Sequence, residues 1–186
     1  MEHAGTAQVR RVHHFDMTAQ PEPGRFLIRE ASAADIPTLL EFRLAMMVDI
    51  SGGEIPAGYG ELSRANEIWL REHFGRDFSA LLAEFGGRPV ASAGLMWFNH
   101  PPGIQNPGGR EAYILNVYTK PEARRMGAAR LLVEQLIAQA GAAGTRMIWL
   151  RASEAGRPLY ESMGFGTGKY LQLKPEPTQA EGGDRG

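Results

Sequence analysis

Residues 78 to 98 read FSALLAEF, GGRP, VASAGLMWF: two apolar runs of strand length with only Gly86 to Pro89 between them. Glycines supply the positive φ that a tight hairpin turn demands, so the two runs are expected to pair antiparallel. A hairpin in mid-chain constrains how the flanking segments are read. Before it, RFLIREA (25 to 31) reads as a strand, and Ser32 with Asp35 forms an S-x-x-D capping pair ahead of Ile36, Leu39, Leu40, Leu44, Met47 and Val48, whose spacing gives one apolar helical face. A second helix is expected over Leu62 to Phe74, with Leu62, Ala65 and Trp69 on one side. The Gly-rich link 50 to 60 is too irregular to assign.

After the hairpin, the proline- and glycine-rich loop NHPPGIQNPGGR (99 to 110) leads into EAYILNVYT (111 to 119), a strand rich in β-branched and aromatic residues. Loops of this length in compact domains are often functional. A helix follows from Ala128 to Ala143, with Leu132, Val133, Leu136, Ile137 and Ala140 as its apolar stripe. RMIWLRA (146 to 152) is then a strand, AGRPLYESM (155 to 163) a short helix and GFGTGKYLQLK a final extended section. This order predicts an α/β (α+β) domain over 25–173, with a mixed, mostly antiparallel sheet and helices on both faces. Residues 1–24 lack periodicity and read as a flexible arm; the polar, Pro- and Gly-rich residues 174–186 read as a disordered tail.

Composition narrows the partners. With 20 basic and 21 acidic residues in 186, the net charge of −1 supplies no overall field toward nucleic acid or an anionic membrane, so any anion site must be local. The absence of cysteine excludes disulfides, thiolate nucleophiles and cysteine metal ligands. His13 and His14 lack a third ligand at helpful spacing and read as a solvated pair, so no metal is expected. No apolar stretch is long enough to span a bilayer, and a soluble, cytoplasmic protein is expected.

Chemistry concentrates in TKPEARRMGAAR (119 to 130). A helix start carries unpaired N–H groups at the positive end of its dipole, which attracts anions. Pro121 delays the helix, Gly127 allows close backbone approach, and Ala128 and Ala129 leave the amides unobstructed. Arg124, Arg125 and Arg130 add charge. The segment lacks the spacing of a P-loop or a dinucleotide fingerprint. Spacing alone leaves two readings open, an anion site and an arginine-decorated helix cap.

Three motifs in sequence tip that balance. RRMGAA fits an [QR]-x-x-G-x-[GA] pattern, NVYTKP precedes it as a strand end followed by proline, and LRASEAGRPLYESMGF follows as a strand, a short tyrosine-bearing helix and a Gly-Phe pair. Together they resemble the GNAT superfamily of acetyl-CoA-dependent N-acetyltransferases, strongly over Leu115 to Phe165 and by element order over the preceding half.

The resemblance implies acetyl-CoA as co-substrate, its pyrophosphate held by amides of Arg125, Met126, Gly127, Ala128 and Ala129, with Arg124 and Arg130 nearby. Its pantetheine arm would run along Val117, Tyr118 and Thr119, where the family's sheet splays between its central strands, and an N–H near Val117 would meet the oxyanion. Tyr160 would be the general acid that protonates the departing thiolate. Ser153 stands where many members carry a cofactor-contacting asparagine, and it equally suits a helix cap. Where members place a basic carboxylate this chain has Tyr113. Glu111, two residues earlier on the same strand face, is the candidate base, His100 its rival; Asn116 is expected to face the other way.

The acceptor pocket of such a fold is expected from residues 50 to 60 and 99 to 110. Asp49, Glu54 and Glu61 would attract a cationic amine, and Trp97, Phe98 and Ile104 would contact an apolar body. A small-molecule amine is the expected acceptor. The competing readings are a protein or peptide amine, a non-catalytic acetyl-CoA sensor and a nucleotide-binding protein. A homodimer is admitted but not required.

Overall fold

The computed structural model describes residues 26–168 apart from Pro56 and Gln105. The expected arm and tail lie outside the described residues, as does most of the final extended section; its described part, residues 164 to 168, contains no strand. The chain divides between Arg151 and Ala152 into two compact units.

The first unit holds a five-stranded sheet in the order β1 (Leu27–Glu30), β2 (Phe78–Phe85), β3 (Arg88–Asn99), β4 (Arg110–Thr119), β5 (Ile148–Leu150). All neighbours are antiparallel except β4 and β5, which run parallel. The β2–β3 turn is the pair Gly86 and Gly87, with φ of 59° and 75°. Arg88 and Pro89 already belong to the strand, so the turn is tighter than the four-residue link expected. Consecutive left-handed residues give the mirror-image turn whose twist matches the strands.

Side-chain alternation sorts the sheet's faces. Phe78, Ala80 and Leu82 pack with Ile36, Leu39 and Phe42 of α1 (Ile36–Ile50) and Leu70 of α2 (Tyr59–His73). Leu81 and Ala83, on the alternate positions, are equally buried. Their side of the sheet is covered by α3 (Ala128–Ala142), which contacts β2, β3 and β4 and buries Leu132, Val133, Leu136 and Ala140. Helices therefore occupy both faces, as the element order predicts. Phe42, absent from the expected apolar stripe, is among the most completely buried side chains and packs on Tyr118 with ring centroids 5.6 Å apart.

Entry into α1 is fixed by charge. Asp35 accepts from the Ser32 N–H at 2.8 Å and takes both Nη atoms of Arg29, at 2.8 and 2.9 Å, while Arg29 Nε reaches Glu84 of β2 at 2.7 Å. The Arg29 guanidinium holds the Asp35 carboxyl far below its ordinary range. A depressed folded-state pKa contributes stability that is present above the ordinary value and is lost as pH falls toward the folded one. Asp35→Asn is expected to destabilise the fold by about 1–2 kcal/mol at neutral pH, since a bidentate charge-assisted pair is only partly screened here. The gap in melting temperature from the parent should shrink on acidification below pH about 4; a gap that stays constant would mean the ionised carboxylate is not its source.

The second unit contains α4 (Arg157–Ser162). Its N-cap is Gly156, and Ser153 holds the turn before it: the Ser153 carbonyl accepts from Gly156 and Arg157 N–H, and its Oγ accepts from Gly156 N–H at 3.2 Å.

Candidate active site

β4 carries an interruption that its alternating sequence conceals. Its register with β3 pairs Leu115 with Gly94 and Tyr118 with Ser92, so Asn116 and Val117 together oppose Ala93. Asn116 has φ of 54°, in the left-handed region that asparagine tolerates better than most residues. The extra residue rotates the strand: Leu115 and Tyr118, three positions apart, both pack toward the core shared with α1 and α2. It also corrects the expected direction of Asn116, whose Oδ1 accepts from Arg43 Nη1 of α1 at 2.8 Å, toward the helical pair rather than away from it. Below the bulge, the Ser92 hydroxyl donates to the Asn116 carbonyl at 3.4 Å.

The opposite edge of β4 parts from its neighbour. β5 pairs only with Ala112, Tyr113 and Ile114, and β4 then continues through Thr119 without a partner on that side among the described residues. The chain leaves through a 3-10 turn at Pro121–Ala123. Arg125 follows with φ of 61° and Gly127 with φ of 91°, immediately ahead of α3. Alternating signs of φ turn successive N–H groups into a concave donor set. Among the described residues no acceptor meets the backbone N–H of Arg125, Met126, Gly127, Ala128 or Ala129; the first intrahelical bond is Leu131 N–H to the Gly127 carbonyl. A Cβ built on Gly127 meets nothing within 4 Å, so the space beside that residue is open. Arg124 is occupied differently: Nε donates to the Thr119 carbonyl at 3.0 Å and Nη2 pairs with Asp49 at the end of α1. It braces the loop against strand and helix. Arg130 pairs with Glu134 one turn on, at 3.5 Å.

Glu111 lies at the start of β4, where the Trp149 indole N–H donates to it and His100 Nε2 stands 3.5 Å from Oε2. At roughly 3.3 Å per residue, Val117 is close to 20 Å further along the strand. In the second unit, burial raises the Tyr160 phenol above its ordinary pKa, and its hydroxyl has no hydrogen-bond partner among the described residues. Its ring meets Phe165 edge-on at 6.0 Å.

The Acetyltransferase (GNAT) family matches residues 44–165, most of the chain. The chain belongs to that family. Among solved structures, a predicted acetyltransferase from Clostridium acetobutylicum crystallised with acetyl-CoA is 29% identical, with a TM-score of 0.68 over 80% of this chain and 96% of its own. A GCN5-related N-acetyltransferase from Ralstonia eutropha is 26% identical, with a TM-score of 0.73 over 81% and 98%. Glucosamine-6-phosphate N-acetyltransferase from Arabidopsis thaliana, at 19% identity and a TM-score of 0.57 over 82% and 99%, shares the fold. A search of curated proteins returned no match.

This GNAT acetyltransferase is an acyltransferase, and the family uses acetyl-CoA. Its residues suit that molecule: a donor-lined concavity with room beside Gly127 matches a pyrophosphate, and the open β4 edge from Leu115 to Thr119 matches an extended amide-bearing arm. Among the described residues no group of His, Asp or Glu is arranged to hold a metal, and no helix is long and apolar enough to cross a membrane.

Sequence reasoning missed one cleft beside β4. A cleft of about 280 Å³ opens between α1, α2 and the bulge, lined by Arg43, Asn66, Trp69, Leu70, Leu115 and Asn116 among others. Of the residues expected to meet an acceptor, Asp49, Trp97, Phe98 and Ile104 do not line this cleft. Asp49 is paired with Arg124, Trp97 lies under the Arg110 guanidinium at 3.9 Å, Phe98 packs on His100, and Ile104 is fully exposed. The signal was present in α1, where Arg43 falls seven residues after Ile36 and thus on the helix's apolar stripe.

Proposed function

We propose that this GNAT acetyltransferase moves an acetyl group from acetyl-CoA to the primary amine of a small molecule by direct attack, with Tyr160 as general acid. The observation that carries the reading is the conjunction of a parted β4 edge with an unobstructed amide cluster one turn beyond it. When bound, acetyl-CoA supplies the activated acetyl group. The amides of Arg125 to Ala129 hold its diphosphate, with Arg130 adding positive charge, and Val117, Tyr118 and Thr119 offer backbone along the arm. The N–H of Val117, beside the bulge, serves the acetyl oxygen as negative charge develops there. Ser153 is assigned to cofactor contact as well, its hydroxyl already accepting from the Gly156 N–H in the turn before α4.

A cleft of about 280 Å³, just under the usual range of roughly 300–1,000 Å³ for small-ligand pockets, is of a size to take a compact acceptor. Incubating the protein with acetyl-CoA and an amine library, while following free thiol, tests the reading. Thiol release with small amines supports it. Release with a peptide panel alone overturns the acceptor class, and release with neither leaves the sensor reading.

The attacking amine must lose a proton. Glu111 is too distant for direct contact at the bulge, so it is assigned the end of a relay through water past Tyr113, which shares its strand face. Glu111→Gln, which retains an acceptor for Trp149, is expected to lower kcat about tenfold at neutral pH with little change in melting temperature. An unchanged kcat removes Glu111 from the proton path.

A further inference from the structure

Among the described residues Arg43 is a cation without a carboxylate partner. It is half-buried, and among the described residues it forms no ion pair; its hydrogen bonds go to neutral carbonyl oxygens, Nε to Asn66 Oδ1 at 3.2 Å and Nη1 to Asn116 Oδ1 at 2.8 Å. Asn66 is itself held by donating to the Leu62 carbonyl at 2.7 Å. These two bonds fix the guanidinium in place and use only part of its five donors. Burial lowers its pKa, opposed only by the Tyr113 phenol and by no carboxylate. A buried charge is normally neutralised by a partner within the fold. Here the fold places the arginine in the wall of the cleft, one bond from the bulge residue, and surrounds it with apolar surface from Trp69, Leu70 and Leu115.

We infer that Arg43 receives a carboxylate of the acceptor, so that the small molecule acetylated is an amine bearing a carboxylate, of the α-amino-acid type. The inference rests on the transferase reading above. The planar fork of a guanidinium matches the planar carboxylate, and its orientation is preset by the two asparagines. The apolar lining suits a hydrocarbon side chain. Because the anchor lies beside the residues where the acetyl oxygen would be met, a carboxylate held there leaves its neighbouring amine near the bulge. The acceptor is thus recognised by its negative end, not by acids attracting its amine.

The test compares acetyl transfer to a panel of standard α-amino acids with transfer to the amines left when their carboxylates are removed, using phosphoethanolamine as a phosphate arm. Coenzyme A titration calorimetry is run in parallel on each protein. The expected result is a preference of at least about 30-fold in kcat/KM for one or more amino acids over the matched amine. Arg43→Gln should reduce that ratio by about tenfold or more, mainly through KM, while Arg43→Lys, which keeps charge without the fork, falls between. If Arg43 only braces the bulge through Asn116, both substrates lose rate by the same factor and the inference falls. Phosphoethanolamine outpacing every amino acid also overturns it. Neutral amines accepted as readily as amino acids sink the inference and leave the transferase standing; no heat with coenzyme A and no thiol from either panel sinks both.

Discussion

Gly127→Glu is expected to lower coenzyme A affinity at least about 100-fold while the protein stays folded. Two effects separate at this position. Its φ of 91° strains any residue with a side chain, which costs about 1–2 kcal/mol and lowers the melting temperature by several degrees. Space is not the difficulty, because nothing lies within 4 Å of an added Cβ. The added side chain enters the volume in front of the unpartnered amides of residues 125 to 129. A carboxylate there repels the diphosphate and competes for the same donors. Gly127→Ala serves as the control, since it carries the backbone strain without charge or reach. Calorimetry should find the alanine variant intermediate in affinity and similar to the glutamate variant in thermal stability. Wild-type affinity in the glutamate variant would move the diphosphate to a different part of the molecule. Loss of affinity equal in both would assign the effect to strain.

The fold was legible because its signals are local and periodic. The glycine pair at 86 and 87 specifies a hairpin, the stripe on 128 to 142 specifies a helix face, and Ser32 with Asp35 marks the capped entry into α1. The open amides ahead of α3 were legible for the same reason: a glycine before an alanine-rich helix start implies them without knowledge of any neighbour. The cleft between α1, α2 and the bulge was not, because it depends on pairing between distant segments. Asn116 turns toward α1 only because two residues of β4 oppose one of β3, and strict alternation cannot register an inserted residue. An asparagine amid YILNVY is the trace such a bulge leaves. Arg43 and Asn66 become a pair only when α1 and α2 pack, 23 positions apart in the chain. Asp49, read as an attractor for an amine, was already satisfied by Arg124, a tie between residues 75 apart that no pattern along one element reveals.

Tyr160→Phe should lower kcat about 100-fold and leave coenzyme A affinity within a few-fold of the parent, a separation expected of a proton donor used only as the thiolate departs. Its tolerance by the fold follows from the structure. The ring keeps its edge-on contact with Phe165, and the hydroxyl removed has no hydrogen-bond partner among the described residues. Gly156 also leaves room for the ring, since a Cβ there would come within 3.2 Å of Tyr160 Cε2. The pH dependence supplies an independent check. Burial disfavours the phenolate and raises the Tyr160 pKa above its ordinary value, so the protonated donor persists through neutral pH and past the point at which a free tyrosine ionises. The sign for stability is the same: a folded-state pKa above the unfolded one gives stabilisation present below pH about 10 and lost as pH rises beyond it. In the parent, kcat should therefore hold up to that alkaline range and then fall. The phenylalanine variant should lose the fall along with the rate, its residual turnover relying on water to protonate the thiolate. A variant with parental kcat, or with an unaltered alkaline limb, would assign the proton to a different group and leave Tyr160 as a packing residue of α4.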